Sequence, residues 1–187
     1  MPPVPMSCRW NCIVNKIALL VVVALLMPMG VMALTLPEQV AKDFPGLQLA
    51  GEGRLRWFGL HVYDASLWTN GARWNEDREF ALDIRYARDI KSRRLVQSSL
   101  DEMRRLGFGD EQRLAIWEKE MARVLPDVKK GEHLTGVNRP GVGAEFYYQG
   151  RIVGTITDPA FAQAFFAIWL DARTREPGLR RSLIGSK

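Results

Sequence analysis

Glu79 to Arg88 reads EFALDIRYAR. Phe80, Leu82, Ile84 and Tyr86 share one parity and Ala81, Asp83 and Arg85 the other, a period of two that predicts a half-buried strand. Upstream, Gly53 to Trp68 reads GRLRWFGLHVYDASLW and alternates in the same way, with Gly59 placed to break or bulge the pattern. It predicts two paired strands over 49–58 and 60–69, closed by the turn signal Asn70-Gly71. The period then changes. Leu95, Ser99 or Leu100, Met103 and Leu106 fall on one helical stripe within 91–106, and Gly107 supplies a C-cap. A second helix opens at Asp110, with Leu114, Trp117, Met121 and Leu125 on its stripe. Asp110 and Glu111 suit the positive end of its dipole and Arg123 the negative end, and Pro126 stops it.

A second β block follows. Residues 132–137 predict a strand, NRPGVG at 138–143 a turn, and 144–149 with 151–157 a hairpin around Gln149-Gly150. Thr157-Asp158-Pro159 is a helix start with proline at the first helical position. The helix runs to about 170 and is apolar nearly all round (Phe161, Phe165, Phe166, Ile168, Trp169), which calls for burial on more than one side or the lining of a lipid-sized pocket. A last short helix begins near Glu176-Pro177, and EQVAKDF in the 34–46 lead-in has room for one or two helical turns. Strands joined by short turns, then helices, twice over, predict an α+β fold: an antiparallel sheet with helices on one face. There is no internal repeat and no second domain in the pattern.

The front of the chain stands apart. Residues 1–16 hold Arg9 and Lys16 and no acid, Ile17 to Met27 are eleven unbroken apolar residues, and small residues follow to Ala33. These are the parts of a secretory signal, and the apolar run falls short of the roughly 20 residues of a bilayer span. A leader over 1–33 is expected, cleaved or kept as an anchor, with a domain over 34–187 exported to the periplasm; any membrane attachment would run through that N-terminal segment. Both cysteines, Cys8 and Cys12, lie in the leader, so the remaining 154 of the 187 residues hold none and must rest on an apolar core. Taking the two leader bases from the formal charge of +5 leaves +3, with acids and bases interleaved. That argues against nucleic acid, which favours a basic stripe.

Much chemistry is missing. No dinucleotide or P-loop glycine pattern occurs, and His61 and His133 are the only histidines, without metal-ligand spacing. Neither metal nor cofactor is expected. No GxSxG elbow occurs, and thiol catalysis is excluded from 34–187. What remains is arginines and tyrosines on strands. Arg54 and Arg56 flank Leu55 and share a face, which is either solvent or a cavity; in a cavity they would clamp an anion. Tyr63 is either a core aromatic with its hydroxyl at the rim or a neutral donor to a ligand. His61 shares Tyr63's parity, and Asp64 faces the other way, where it can pair an arginine.

GEGRLRWFGLHVYDASLW, LVQSSLDEMRRLG, GEHLTG, PGVGAEFYYQGRIVGTITDPAFAQAFFAIWLD and LRRSLIG, in that order, resemble the bacterial chalcone isomerase-like proteins over nearly all of 34–187. The resemblance implies an open-faced β-sandwich, an antiparallel sheet covered by a layer of helices, with a ligand cleft between them. Plant chalcone isomerases close a flavanone ring there; non-catalytic relatives bind fatty acids through an arginine and a tyrosine on neighbouring strands. By resemblance the tyrosine is Tyr63, in VYDASLW, and the arginine is Arg54 or Arg56. The isomerases' helix array of tyrosine, lysine and asparagine, counted back from Leu106-Gly107, places Lys91, Arg94 and Ser98 on this chain, without the tyrosine or the asparagine. Arg94 keeps a positive charge for the cleft.

Three readings follow. The first is a non-catalytic binder of a small apolar carboxylate such as a fatty acid, held by Arg54, Arg56, Tyr63 and Arg94. The second is an intramolecular isomerase or lyase on an unknown substrate, whose sign would be a tyrosine with a lowered pKa. The third is an envelope interaction module with a filled core in place of a cleft.

Overall fold

In the computed structural model, residues 35–71 and 74–185 are described. The segment expected to be a leader, 1–33, lies outside the described residues. Six strands form one sheet in chain order: β1 (Gln48–Trp57), β2 (Leu60–Thr69), β3 (Phe80–Tyr86), β4 (His133–Arg139), β5 (Gly143–Tyr148) and β6 (Arg151–Ile156). Every neighbouring pair is antiparallel. The helices are α1 (Glu38–Asp43), α2 (Ser92–Leu106), α3 (Glu111–Val124), α4 (Pro159–Leu170) and α5 (Pro177–Leu183). This is the expected α+β architecture.

The predicted stripes become the contacts. On α2, Val96, Ser99, Leu100, Met103 and Leu106 are buried, while Leu95 is left half-buried. Gly107 ends the helix in the left-handed region at φ 84°. Asp110 caps α3 by accepting from the Arg113 amide at 2.8 Å. Asp158 caps α4 by accepting from the Ala160 amide, and its other oxygen accepts from Trp117 Nε1, both at 2.8 Å, so one carboxylate ties α3 to α4. The α4 phenylalanines make a continuous aromatic stack with Phe146 of β5.

Three features differ from the expectation. First, the helices do not all lie on one face. Leu36, Val40 and Phe44 pack against Trp68, Ala81, Val137 and Tyr147, a cluster of its own on the face opposite the main core. Val40 and Phe44, four residues apart, give α1 just enough apolar surface to cover one patch. Second, β3 is buried on both faces rather than half-buried: Asp83 is only 5% exposed and accepts from Thr135 Oγ1 at 2.7 Å and pairs with His133 Nδ1 at 2.8 Å. Third, two register shifts interrupt the β1–β2 pairing. Leu55 faces Tyr63, yet Arg56 faces His61, so Val62 is an extra residue and the parity of β2 reverses there.

At its far end β1 meets α5. A Cβ on Gly51 would lie 2.1 Å from the Ser182 carbonyl oxygen, so only glycine lets the helix settle on the strand.

Candidate functional site

A cleft of about 850 Å³ opens between the helix-covered face of the sheet and the layer above it. Its floor comes from alternate strand residues: Leu55 of β1, Tyr63 of β2, Leu82, Ile84 and Tyr86 of β3, Leu134 of β4 and Phe146 of β5. Its roof is Arg94, Leu95 and Ser98 of α2 and Phe165, Ile168 and Trp169 of α4. The volume lies in the range of small-molecule sites, and the wall is mostly apolar, with charged residues of both signs, among them Arg88, Asp89, Arg94 and Glu176, also lining it. A broader depression of about 1330 Å³ runs between Gly71 and residues 74–80, the β4–β5 turn and the end of α4. Three of its four arginines are already committed, Arg139 to Glu145 at 2.6 Å, Arg173 to Asp171 at 2.8 Å and Arg180 to the Leu170 carbonyl at 2.6 Å. The first cleft is therefore the better candidate.

Two phenols sit in it. Tyr63 and Tyr86 are cross-strand partners and meet edge to face with centroids 6.2 Å apart. The Tyr63 hydroxyl accepts from Trp169 Nε1 at 2.8 Å. That bond orients the oxygen and leaves its own proton without a protein acceptor among the described residues. Tyr86, 6% exposed, makes no side-chain hydrogen bond among the described residues. Burial pushes both phenols well above the ordinary value; for Tyr63 the Trp169 bond works in the opposite direction and does not cancel it, and nearby Glu176 and Glu102 add to the rise. For Tyr86, Tyr63 and Asp83 add to the effect of burial. Both are therefore neutral hydrogen-bond donors at physiological pH.

Cations stand at the rim. Arg94 and Arg88 line the cleft, are exposed and have no ion-pair partner among the described residues. Lys91 also lines it but is held by Asp127 at 2.7 Å. Glu102 is shared by Arg105 at 2.8 Å and Arg175 at 2.9 Å, which ties the segment between α4 and α5 to α2 and closes one side of the roof. Ser98 lines the cleft but spends its hydroxyl on the Arg94 carbonyl at 2.8 Å. The helix positions Lys91, Arg94 and Ser98 thus all reach the cleft with Tyr63.

Arg54 and Arg56 do not. Both stand on the opposite face of the sheet and are exposed. Arg54 Nε donates to Asp64 Oδ1 at 2.6 Å, and His61 Nε2 meets the same oxygen at 3.1 Å. The expectation of a strand-borne arginine clamp is corrected here: the residue facing Tyr63 on β1 is Leu55, and alternation sends its arginine neighbours away. His61 is corrected too, because the extra residue Val62 moves it from Tyr63's face to Asp64's. Asp64 pairs an arginine, as its parity suggested.

Tyr86 and Arg88 were not singled out as site residues, and Trp169 only as one member of the apolar helix. Tyr86 was legible as the last apolar position of β3, and only the register β2–β3 shows that it meets Tyr63. Trp169 belongs to the apolar helix, whose two expected fates both occur: Phe161 and Phe166 are core, while the half-buried Ile168 and Trp169 line the cleft.

Among the described residues no cluster of three or more histidine, cysteine or acidic side chains is placed to hold a metal. The family profile described as chalcone isomerase-like matches residues 29–185. The chain is also similar in structure to an Arabidopsis thaliana fatty-acid binding protein, with a TM-score of 0.62 at 12% identity, covering 75% of this chain and 88% of that one. At that identity the likeness speaks for the fold alone. No curated protein matches the sequence.

Proposed function

The chain belongs to the chalcone isomerase-like family, and from that premise we propose that it is an exported, non-catalytic binder of a small apolar carboxylate such as a fatty acid. The observation that carries this reading is the Tyr63–Trp169 pair inside an apolar cleft. A phenol whose acceptor side is filled by an indole presents only its proton, and an anionic or carbonyl oxygen is what takes it. Tyr86 offers a second donor beside it, and Arg94 and Arg88 supply positive charge at the rim. The chain of the ligand would lie along Leu82, Ile84, Phe146 and Phe165. The name of the structurally similar fatty-acid binding protein fits this reading, and the leader-like segment 1–33 supports export.

An isomerase is less well supported. A phenol that moves protons near neutral pH needs a lowered pKa, and burial drives Tyr63 and Tyr86 the other way. The helix also lacks the tyrosine and asparagine of the isomerase array.

The test is native mass spectrometry of the exported chain, purified without detergent, beside a Tyr63→Phe/Tyr86→Phe double variant of unchanged melting temperature. The expected result is an acid-sized adduct that the variant loses or retains at a small fraction of the parent's occupancy. A bare parent mass, with no uptake of added palmitate, would overturn the reading.

A further inference from the structure

The β1–β2 hairpin projects past the rest of the sheet. β2 pairs with β1 as far as Trp57↔Leu60, whereas its pairing with β3 ends at Tyr63↔Tyr86. The overhang carries Trp57, Phe58 and Leu60, at 53%, 89% and 54% exposure. These are three of the seven exposed large apolar residues among the described ones, gathered within four positions. Trp57 and Phe58 hold each other edge to face at 5.2 Å, so the tip is a preformed aromatic wedge rather than two loose side chains.

The turn is made against its own backbone preference. Phe58 has φ 47° and Gly59 φ 78°. Positive φ at both central positions is the habit of a primed hairpin turn, where asparagine–glycine is favoured and a bulky aromatic is strained. A strained, solvent-exposed phenylalanine at a hairpin tip points to a surface that needs the ring.

Three unpaired arginines lie near the wedge, while Asp89 and Glu176 line the cleft and Asp64 is held by Arg54 and His61. Arg56 lies at its base on β1, opposite His61. The Ala87 amide donates to the Val62 carbonyl at 2.9 Å, which brings Arg88 out beside the same base. Arg94 stands on the adjoining rim of the cleft. None of these three arginines has an ion-pair partner within 4.0 Å among the described residues, and aromatic tips flanked by free cations suit the interface of an anionic bilayer.

We propose that the Trp57–Leu60 hairpin tip docks the protein on anionic lipid membranes by placing Trp57, Phe58 and Leu60 in the headgroup–acyl boundary. Trp57 also lines the cleft, so the docked tip sets the mouth of the cleft against the bilayer. Passage of a ligand between the two rests on the binder reading above; docking does not. Each arginine brought to an anionic surface raises partitioning by roughly fivefold.

The experiment places a polarity-sensitive dye on the tip of the full chain, as Phe58→Cys in a Cys8→Ser/Cys12→Ser background, with Glu118→Cys on α3 as the control. Because the dye reports its own surroundings, attachment through 1–33 does not mimic the result. On vesicles of phosphatidylcholine with phosphatidylglycerol, the tip dye shifts to the blue and is quenched by brominated acyl chains, while the control stays aqueous. The shift is lost on phosphatidylcholine alone and when salt cuts the screening length to about 3 Å. A tip dye as wet as the control on every vesicle overturns the proposal. So does a blue shift without lipid that tracks protein concentration and a doubled mass, which would make the tip a contact between two copies. Leu60→Cys carries the dye instead if Phe58→Cys melts early. A wet tip on a chain that still binds palmitate removes docking and leaves the binder; a dry tip on a chain that binds none does the reverse.

Discussion

The two faces of one sheet have opposite fates. Under α2 and α4, alternate residues of β1 to β5 make a cleft floor whose polar groups, Tyr63 and Tyr86, are neutral and have protons to offer. On the other face many of the intervening polar residues are spent on one another: Arg54 and His61 on Asp64, His133 and Thr135 on Asp83, Arg139 on Glu145. A satisfied ion pair holds a structure and has little left for a ligand, whereas a half-satisfied phenol in an apolar wall is a binding group. The richer array of charges is on the face that does not bind, and the difference is made by parity, one residue at a time.

The contrast breaks most severely at its apolar side. Phe165, 6% exposed, touches Phe161, Phe146, Phe166 and Trp169 at centroid distances of 5.1 to 5.5 Å. Phe165→Ala is expected to cost about 3–5 kcal/mol in urea unfolding, since it removes a ring and leaves a cavity beside the cleft. Asp83→Ala, on the opposite face, should cost roughly 1–3 kcal/mol by stranding the buried Thr135 hydroxyl. Asp83→Asn, which keeps an acceptor for Thr135, should recover most of that. Equal losses at the two sites would mean that the faces are not energetically distinct.

A pH titration sharpens the comparison. The folded chain holds Tyr63 and Tyr86 protonated above the ordinary phenol pKa of about 10. Below that pH both states carry the protons and the phenols' contribution to stability is fully present. As pH rises through and beyond it, only the unfolded chain releases them, so stability falls toward the raised folded values. Unfolding free energy is therefore expected to decline with alkaline pH, and less steeply in Tyr63→Phe/Tyr86→Phe. A double variant with the parent's alkaline slope would show that neither phenol is buried in solution.

Elements and caps were legible because each is decided by neighbours in sequence: the period of β3, the stripe of α3 with its Asp110 cap, the Asp158-Pro159 start of α4. So was the shared facing of Arg54 and Arg56. Which face they shared was not, because that depends on what Leu55 meets across the strand. The extra residue Val62 carries no local mark either; it is fixed by the pairing of Leu55 with Tyr63 and of Arg56 with His61. The Tyr63–Trp169 bond spans 106 positions and has no signature in either segment. The close approach at Gly51 was not read from the sequence either, because its partner, α5, lies some 130 residues further on. Local periodicity wrote the fold, and long-range register wrote the site.

The smallest expected effect discriminates most finely between the faces. Arg94 is unpaired and at the rim, so Arg94→Ala should weaken palmitate binding by about 1 kcal/mol, roughly fivefold, in a calorimetric titration at low salt. Arg54→Ala/Arg56→Ala should leave that affinity unchanged. Arg54 is already neutralised by Asp64, and the sheet itself lies between both arginines and the cleft. Salt should erase the Arg94 effect, because an exposed charge is screened within a Debye length of about 10 Å at 0.1 M. If instead the double variant loses affinity and Arg94→Ala does not, the carboxylate is held on the ion-paired face, and the assignment of the two faces must be exchanged.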